Sequence, residues 1–132
     1  MTGRLFDHVH LVVANIWTSR RFYAAILDAV GVPIASEGNG WFCSDELYVS
    51  AGKTRTNGLH MALRAKDRET VDRFHRAGLI AGGTDNGRPG ERPYHDGYYA
   101  AYLLDPDGNS VEAVARSDPE RATATVIIRQ AA

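Results

Sequence analysis

His8 and His60 stand at equivalent places in two copies of one pattern. Displacing the sequence on itself so that His8 meets His60 also lays Leu11 on Leu63, Thr18 on Thr70, Arg21 on Arg73, Phe22 on Phe74, Ala25 on Ala77 and Leu27 on Leu79. A repeated unit folds alike, so a two-fold-like arrangement should bring both imidazoles to one axis. Two convergent neutral imidazoles are the usual start of a transition-metal site. An isolated histidine is more ordinarily a hydrogen-bonded core residue; the flanking matches set this pair apart. The third donor expected is Glu112, an acid inside the apolar run Ser110-Val111-Glu112-Ala113-Val114. A buried, unpaired carboxylate is costly, and a cation removes the cost. The plain alternative is a solvent-facing glutamate or one paired with an arginine. Two histidines and one carboxylate form a facial triad with open positions, which Lewis-acid or oxygen-activating chemistry requires. A closed four-ligand set would instead be structural.

Other residues are placed relative to this triad. His10 lies two residues from His8 and so on the same strand face. Its counterpart in the second copy is Ala62. His8 is therefore the expected ligand, and His10 a neighbour of the metal, a substrate contact or the alternative ligand. Tyr98, Ala100 and Tyr102 share one face of a strand beside that of Glu112. Tyr102 would aim its phenol at substrate as acid, base or orienting donor, with aromatic packing as the alternative. Trp41, Phe42 and Tyr48 would form an apolar wall. His75, between arginines on a helix, reads as a solvated surface residue. Cys43 is the only cysteine, so there is no internal disulfide and no Cys-x-x-Cys motif.

The elements that must position these groups follow from periodicity and caps. Residues 5–13 read as a strand. Asn15 is a good N-cap for a helix with Ile16, Phe22, Tyr23, Ile26, Leu27 and Val30 at helical spacing, stopped at Gly31. Residues 32–35, 40–44 and 46–51 read as three short strands, and 52–58 as a linker. The second copy has a strand over 59–65, a helix capped by Asp67, and strands over 98–104 and 110–115 joined by the Asp105-Pro106-Asp107-Gly108 turn. Residues 123–129 are β-prone. The order is βαβββ followed by βαβββ in one domain: module 1 over about 1–54, module 2 over about 55–116, and a tail over 117–132. The 83–97 stretch is rich in Gly and Pro. It is expected to contain one short strand near its start and otherwise to be a connector or a lid at the cavity. Within it Arg92 could hold an anionic group in a forked geometry and His95 could shuttle a proton, with Tyr94 as a further contact.

At 132 residues the chain suits one compact domain. Its formal net charge is −1 and its basic residues form no blocks, which gives no electrostatic case for nucleic acid or an anionic membrane. No apolar run approaches the roughly 18 residues of a membrane span. The first seven residues lack the apolar stretch of a signal peptide. A cytoplasmic, reducing location is the expectation.

Asp7-His8-Val9, Phe22-Tyr23, Gly58-Leu59-His60-Met61-Ala62 and Leu104-Asp105-Pro106-Asp107-Gly108-Asn109-Ser110-Val111-Glu112 together resemble the vicinal oxygen chelate superfamily. Its members include glyoxalase I, fosfomycin-resistance enzymes, extradiol dioxygenases and bleomycin-resistance proteins. The resemblance spans nearly the whole chain, and the Asp-Pro-Asp-Gly-Asn-x-x-Glu stretch is its most specific part. It implies an α+β fold of two tandem βαβββ modules forming a cupped mixed sheet around a divalent metal (Zn, Fe, Mn or Ni). His8, His60 and Glu112 match its ligand positions, and Tyr102 a cavity-facing one. Glyoxalase I enzymes usually add a carboxylate on the first module's last strand. Here the facing positions offer Tyr48 or Val49, and Glu46 stands too near the strand's start, so a lactoylglutathione lyase is not the expectation.

The reading is a metal-dependent enzyme that binds a small substrate through vicinal oxygens, with Glu112 and Tyr102 catalytic and His10, Arg92, His95 and Tyr98 as substrate contacts. The reaction class is isomerisation or lyase chemistry, epoxide opening or oxygen insertion. The rival is a metal-free protein that sequesters an aromatic or drug-like ligand, as bleomycin-resistance members do. Exposed strand edges and the family resemblance both point to a homodimer, the commonest closed symmetry, in some relatives with modules paired across chains.

Overall fold

The structure is a computed structural model that describes residues 5–116; the β-prone 123–129 stretch lies outside them. Module 1 contains β1 (Val9–Val13), α1 (Ile16–Ala29), β2 (Ser36–Gly38), β3 (Trp41–Ser44) and β4 (Leu47–Ala51). Module 2 contains β5 (His60–Arg64), α2 (Arg68–Ile80), β6 (Thr84–Glu91), β7 (Tyr99–Leu104) and β8 (Ser110–Ala115). Each module is a four-stranded mixed sheet, in the orders β1-β4-β3-β2 and β5-β8-β7-β6, with the first pair parallel and the others antiparallel. The βαβββ repeat is therefore present twice.

Both helices start at side-chain caps. Asn15 Oδ1 accepts from the Trp17 and Thr18 amides, and Asp67 Oδ1 from the Thr70 amide, satisfying donors that a first turn leaves free. Phe22 and Phe74, equivalent in the repeat, are both fully buried. Leu11, Val13, Phe42, Leu47 and Val49 from the first sheet, Phe22, Tyr23, Ile26, Val71 and Phe74 from the helices, and Leu103, Val111 and Ala113 from the second sheet form one continuous core. The helices meet closely at Gly78, where an added Cβ would come within 2.3 Å of Leu103 and 3.0 Å of Ile26.

Five expectations are revised. A single cupped sheet is not formed: among the described residues no ladder joins the two sheets, and the modules are united through their helices and shared core. The first strand starts at Val9 because its partner strand starts at Leu47, which leaves His8 ahead of the ladder. The second strand is Ser36–Gly38 rather than 32–35. The Val32 amide is spent on the Leu27 carbonyl at the helix end, and Pro33 has no amide to give a ladder. The 83–97 stretch is mostly strand: β6 runs for eight residues against β7. Two register shifts, between Asp85 and Gly87 and between Gly87 and Gly90, hide the two-residue period that marks a strand. Finally, His75 is 9% exposed, its Nε2 2.8 Å from Asp85 Oδ1, so it ties α2 to β6 instead of facing water.

The turn before β8 binds the modules together. Asp105, 4% exposed, accepts from the Asp107 and Asn109 amides through Oδ1, both at 2.9 Å, and from the Tyr23 hydroxyl through Oδ2 at 2.6 Å. Asp107 Oδ2 accepts from the Ala14 amide at 3.0 Å. Asn109 accepts from the Leu59 amide and donates to the Thr56 carbonyl, while the Thr56 hydroxyl accepts from the Val12 amide. One turn of module 2 thus holds β1, α1, the linker and β5.

Asp105→Ala removes the acceptor for three buried or half-buried donors. It should cost about 3 kcal/mol or more in urea unfolding, since each hydrogen bond to a charged group contributes about 1.5–3 kcal/mol. Burial, then the Asp105 charge and hydrogen bond, push the Tyr23 phenol far above its usual range. A raised folded-state value contributes stability that is complete below the unfolded phenol's pKa of about 10 and declines as pH rises beyond it. Tyr23→Phe should therefore be less stable at neutral pH yet show a flatter loss between about pH 10 and 12. Equal alkaline slopes for parent and variant would contradict this assignment.

Candidate metal and substrate site

Period-two alternation on β8 sends Val111 and Ala113 into the core and Ser110 and Glu112 to the opposite face. Glu112 pairs in register with Ala62 of β5 and with Tyr102 of β7. It is 3% exposed, as its apolar surroundings predicted. The methyl of Ala62 leaves room, and the donors come from either side. His60 Nε2 lies 2.9 Å from Glu112 Oε1, and the Tyr98 hydroxyl donates to Oε2 in a short hydrogen bond. His60 Nδ1 lies 2.8 Å from Ser110 Oγ. Its ring is stacked near that of Tyr102, with centroids 6.1 Å apart. The His60 side chain is half exposed, so Nε2 stands where a buried carboxylate meets solvent.

These contacts bear on the His60 tautomer. Carboxylate oxygens accept, so Nε2 donates while it faces Glu112 alone. Binding a cation requires the Nε2 lone pair, and the proton must then reside on Nδ1. The Ser110 hydroxyl can donate or accept, and so matches either tautomer. Imidazole nitrogen and carboxylate oxygen are donor types that a divalent ion takes. His60 and Glu112 would hold such an ion in place of the hydrogen bond they now share.

The remaining predicted residues divide in two. Tyr98 and Tyr102 flank Glu112, with Arg92 against Tyr102 and His95 against Tyr98. Arg92 Cζ lies 5.3 Å from the Tyr102 ring centroid, and the Tyr94 and His95 rings lie 5.2 and 6.1 Å from Tyr98. His10 belongs to the other sheet, and His8 immediately precedes its first strand. His8 Nδ1 is 2.8 Å from Asp7, with a 65% exposed side chain. His10 Nε2 is 2.7 Å from Ser50 Oγ, its ring 4.8 Å from Tyr48, and Tyr48 stacks with Trp41. Among the described residues of one chain, no three His, Cys, Asp or Glu side chains converge as a ligand set; His60 and Glu112 are brought together and His8 does not join them. The sequence reading missed Ser110 and Arg116. Ser110 was legible by alternation, because it shares a strand face with Glu112; Arg116 follows the end of β8. Arg116 Cζ lies 4.9 Å from the Tyr98 ring.

The model of the Glyoxalase/Bleomycin resistance protein/Dioxygenase superfamily matches residues 5–113, a span that contains His8, His60 and Glu112. The chain belongs to this superfamily. A glyoxalase/bleomycin resistance protein from Albidiferax ferrireducens T118 is 31% identical, with a TM-score of 0.71 over 86% of this chain and 99% of that one. Two further crystal structures show the same fold. A glyoxalase-related enzyme from Fulvimarina pelagi is 16% identical, with a TM-score of 0.68 over 98% of this chain and 99% of that one. A glyoxalase/bleomycin resistance protein/dioxygenase family enzyme from Burkholderia phytofirmans PsJN is 20% identical, with a TM-score of 0.66 over 83% and 97%. No curated protein gives a significant match. Among the described residues, no helix is long and apolar enough to cross a membrane.

In this superfamily member the phenols beside Glu112 hold their protons tightly. Burial, then the Glu112 charge and the neighbouring Tyr94, push Tyr102 up to about 12. Burial and the hydrogen bond to Glu112 raise Tyr98 further. At neutral pH both phenols therefore keep their protons. Glu112→Gln removes the charge, so Tyr102 should titrate below about 12 in that variant. Ultraviolet difference titration, with Tyr102→Phe to identify the signal, reads this directly. An unchanged Tyr102 signal in Glu112→Gln would show that the carboxylate does not act on it.

Proposed function

We propose that the protein is a divalent-metal-dependent enzyme of the glyoxalase or dioxygenase kind, acting on a small substrate that presents neighbouring oxygens. The observation that carries this reading is the buried Glu112 carboxylate on an apolar strand with His60 Nε2 2.9 Å away. His60 and Glu112 supply two ligands, and His8 of a second copy in a homodimer supplies the third. Support for that copy comes from the architecture: one chain joins its modules through helices, leaving exposed His8 at the head of a sheet separate from that of His60. When bound, the metal would polarise substrate oxygens and stabilise an oxyanion or activate oxygen.

The chain's own residues do the rest. Ser110 holds the His60 tautomer, Tyr98 fixes and shields Glu112, and Tyr102 donates to a substrate oxygen. Once its carboxylate is freed from His60, Glu112 is also placed to exchange a proton with substrate. His10 and His95 are assigned to the substrate's surroundings.

A second reading is a metal-free ligand-binding protein that sequesters an aromatic or drug-like molecule. It is favoured by one observation: both Glu112 oxygens already accept hydrogen bonds, from His60 and Tyr98, within a group of tyrosine rings.

Metal analysis of protein purified without chelator, followed by calorimetric titration with Zn, Mn, Ni and Fe(II), separates the two. The enzyme reading expects one tight site per chain. His8→Ala, His60→Ala and Glu112→Gln should each abolish most of the affinity, and Ser110→Ala should lower it about tenfold. Mixing the His8→Ala and Glu112→Gln proteins should restore one site per heterodimer, because a cross-chain site then combines the intact His8 of one copy with the intact His60 and Glu112 of the other. Absence of restoration would refute the shared site, and full-strength binding by Glu112→Gln would refute the ligand assignment.

A further inference from the structure

Arg92 follows β6 and lies back over it. Its Nη2 donates to the Arg88 carbonyl at 2.7 Å and its Nη1 to the Glu91 carbonyl at 3.3 Å. Its Cζ is 5.3 Å from the centre of the Tyr102 ring. Two glycines make this bed. A Cβ at Gly90 would stand 3.0 Å from Nη1, and one at Gly87 would stand 3.4 Å from Nη2 and 2.9 Å from Tyr102 Cδ1. The bulges of β6 flank Gly87. A long cationic side chain is thus held by two carbonyls and a ring, with its usual freedom already restricted.

The held guanidinium has capacity to spare. It carries five N–H donors, of which the carbonyls take two. No carboxylate among the described residues forms a salt bridge with it. Tyr102, beneath it, is the register partner of Glu112. A second guanidinium, that of Arg116, lies over Tyr98, whose hydroxyl donates to Glu112. Each tyrosine beside the His60–Glu112 pair therefore carries its own cation.

We propose that Arg92 is a preset receptor for an oxyanion group, with Arg116 as the second cation. The substrate then bears a carboxylate, phosphonate or phosphate in addition to the oxygens at His60 and Glu112. The place of this group in a reaction rests on the enzyme reading above; anion binding itself does not.

The intact, isotope-labelled chain without added metal is titrated by NMR with acetate, methylphosphonate and uncharged acetamide, following the Arg92 Nε–H and the Tyr102 ring. Saturable binding is expected for an anion and not for acetamide, and the tighter of the two anions identifies carboxylate or phosphonate chemistry. Arg92→Met should weaken binding at least about tenfold, the loss of a charged hydrogen bond. Gly90→Ala keeps the charge but crowds Nη1, and should weaken binding by less than Arg92→Met does. Divalent-metal affinity should be unchanged in both variants. Equal anion binding by parent and Arg92→Met, acetamide binding like acetate, or no saturable anion binding would overturn the proposal. Failure of metal binding at His60 and Glu112 would leave this readout intact and count only against the enzyme reading.

Discussion

Both modules depend on how the carboxylate of Asp105 is satisfied. It is buried, and it is tolerable there only because two turn amides and the Tyr23 hydroxyl surround it. The amides shape the turn that launches β8. The hydroxyl belongs to α1 of the other module. Asn109, in the same turn, fixes the linker and the residue before His60. The start of β8, the start of β5 and the first helix are thus set by one hydrogen-bonded knot. Glu112 and His60 lie only three residues beyond Asn109 and one residue beyond Leu59, so their approach inherits that knot's precision. The Asp-Pro-Asp-Gly-Asn run is therefore structural: it positions the chemistry and takes no part in it.

The repeat is symmetric in backbone and asymmetric in chemistry. Val9 pairs with Leu47 as Met61 pairs with Val111, so Tyr48 occupies in module 1 the place Glu112 holds in module 2. The first module presents Tyr48 with His10 and Trp41 around it; the second presents a carboxylate with an imidazole, two phenols and two guanidinium groups. One half is suited to covering a ring, the other to charge. That division fits a site with a chemical side and an apolar side better than it fits two equal sites.

Much of this was readable in the chain. Long periodic elements with caps, α1 and α2, stand where Asn15 and Asp67 place them, and the core positions Phe22 and Phe74 follow from the repeat. Glu112 was identifiable because a carboxylate inside an apolar strand demands a partner. β6 was obscured by its own bulges: the glycines and proline that suggested a loop are those of an irregular edge strand. His75 was misjudged because flanking arginines suggest solvent, whereas its partner Asp85 comes from a strand that was itself hidden. The expectation that His8 and His60 share one axis is not met within one chain, where His8 bonds Asp7 and His60 bonds Glu112. Repeat symmetry equates two positions without saying whether they meet within a chain.

The outer strand β6 is anchored at both ends. His75 grips Asp85 near its start, and Arg68 lies 3.5 Å from Glu91 at its finish. Arg92 is held to carbonyls of the same strand. Beyond it only the tip over 93–97 separates β6 from β7, and most of that tip is exposed. Yet Tyr94 and His95 within it pack against Tyr98, the hydrogen-bond donor to Glu112. The most exchangeable segment of the molecule thus sits one aromatic contact away from its buried carboxylate, so a lineage that alters the tip alters the surroundings of Glu112 while the strands on either side hold the backbone in place.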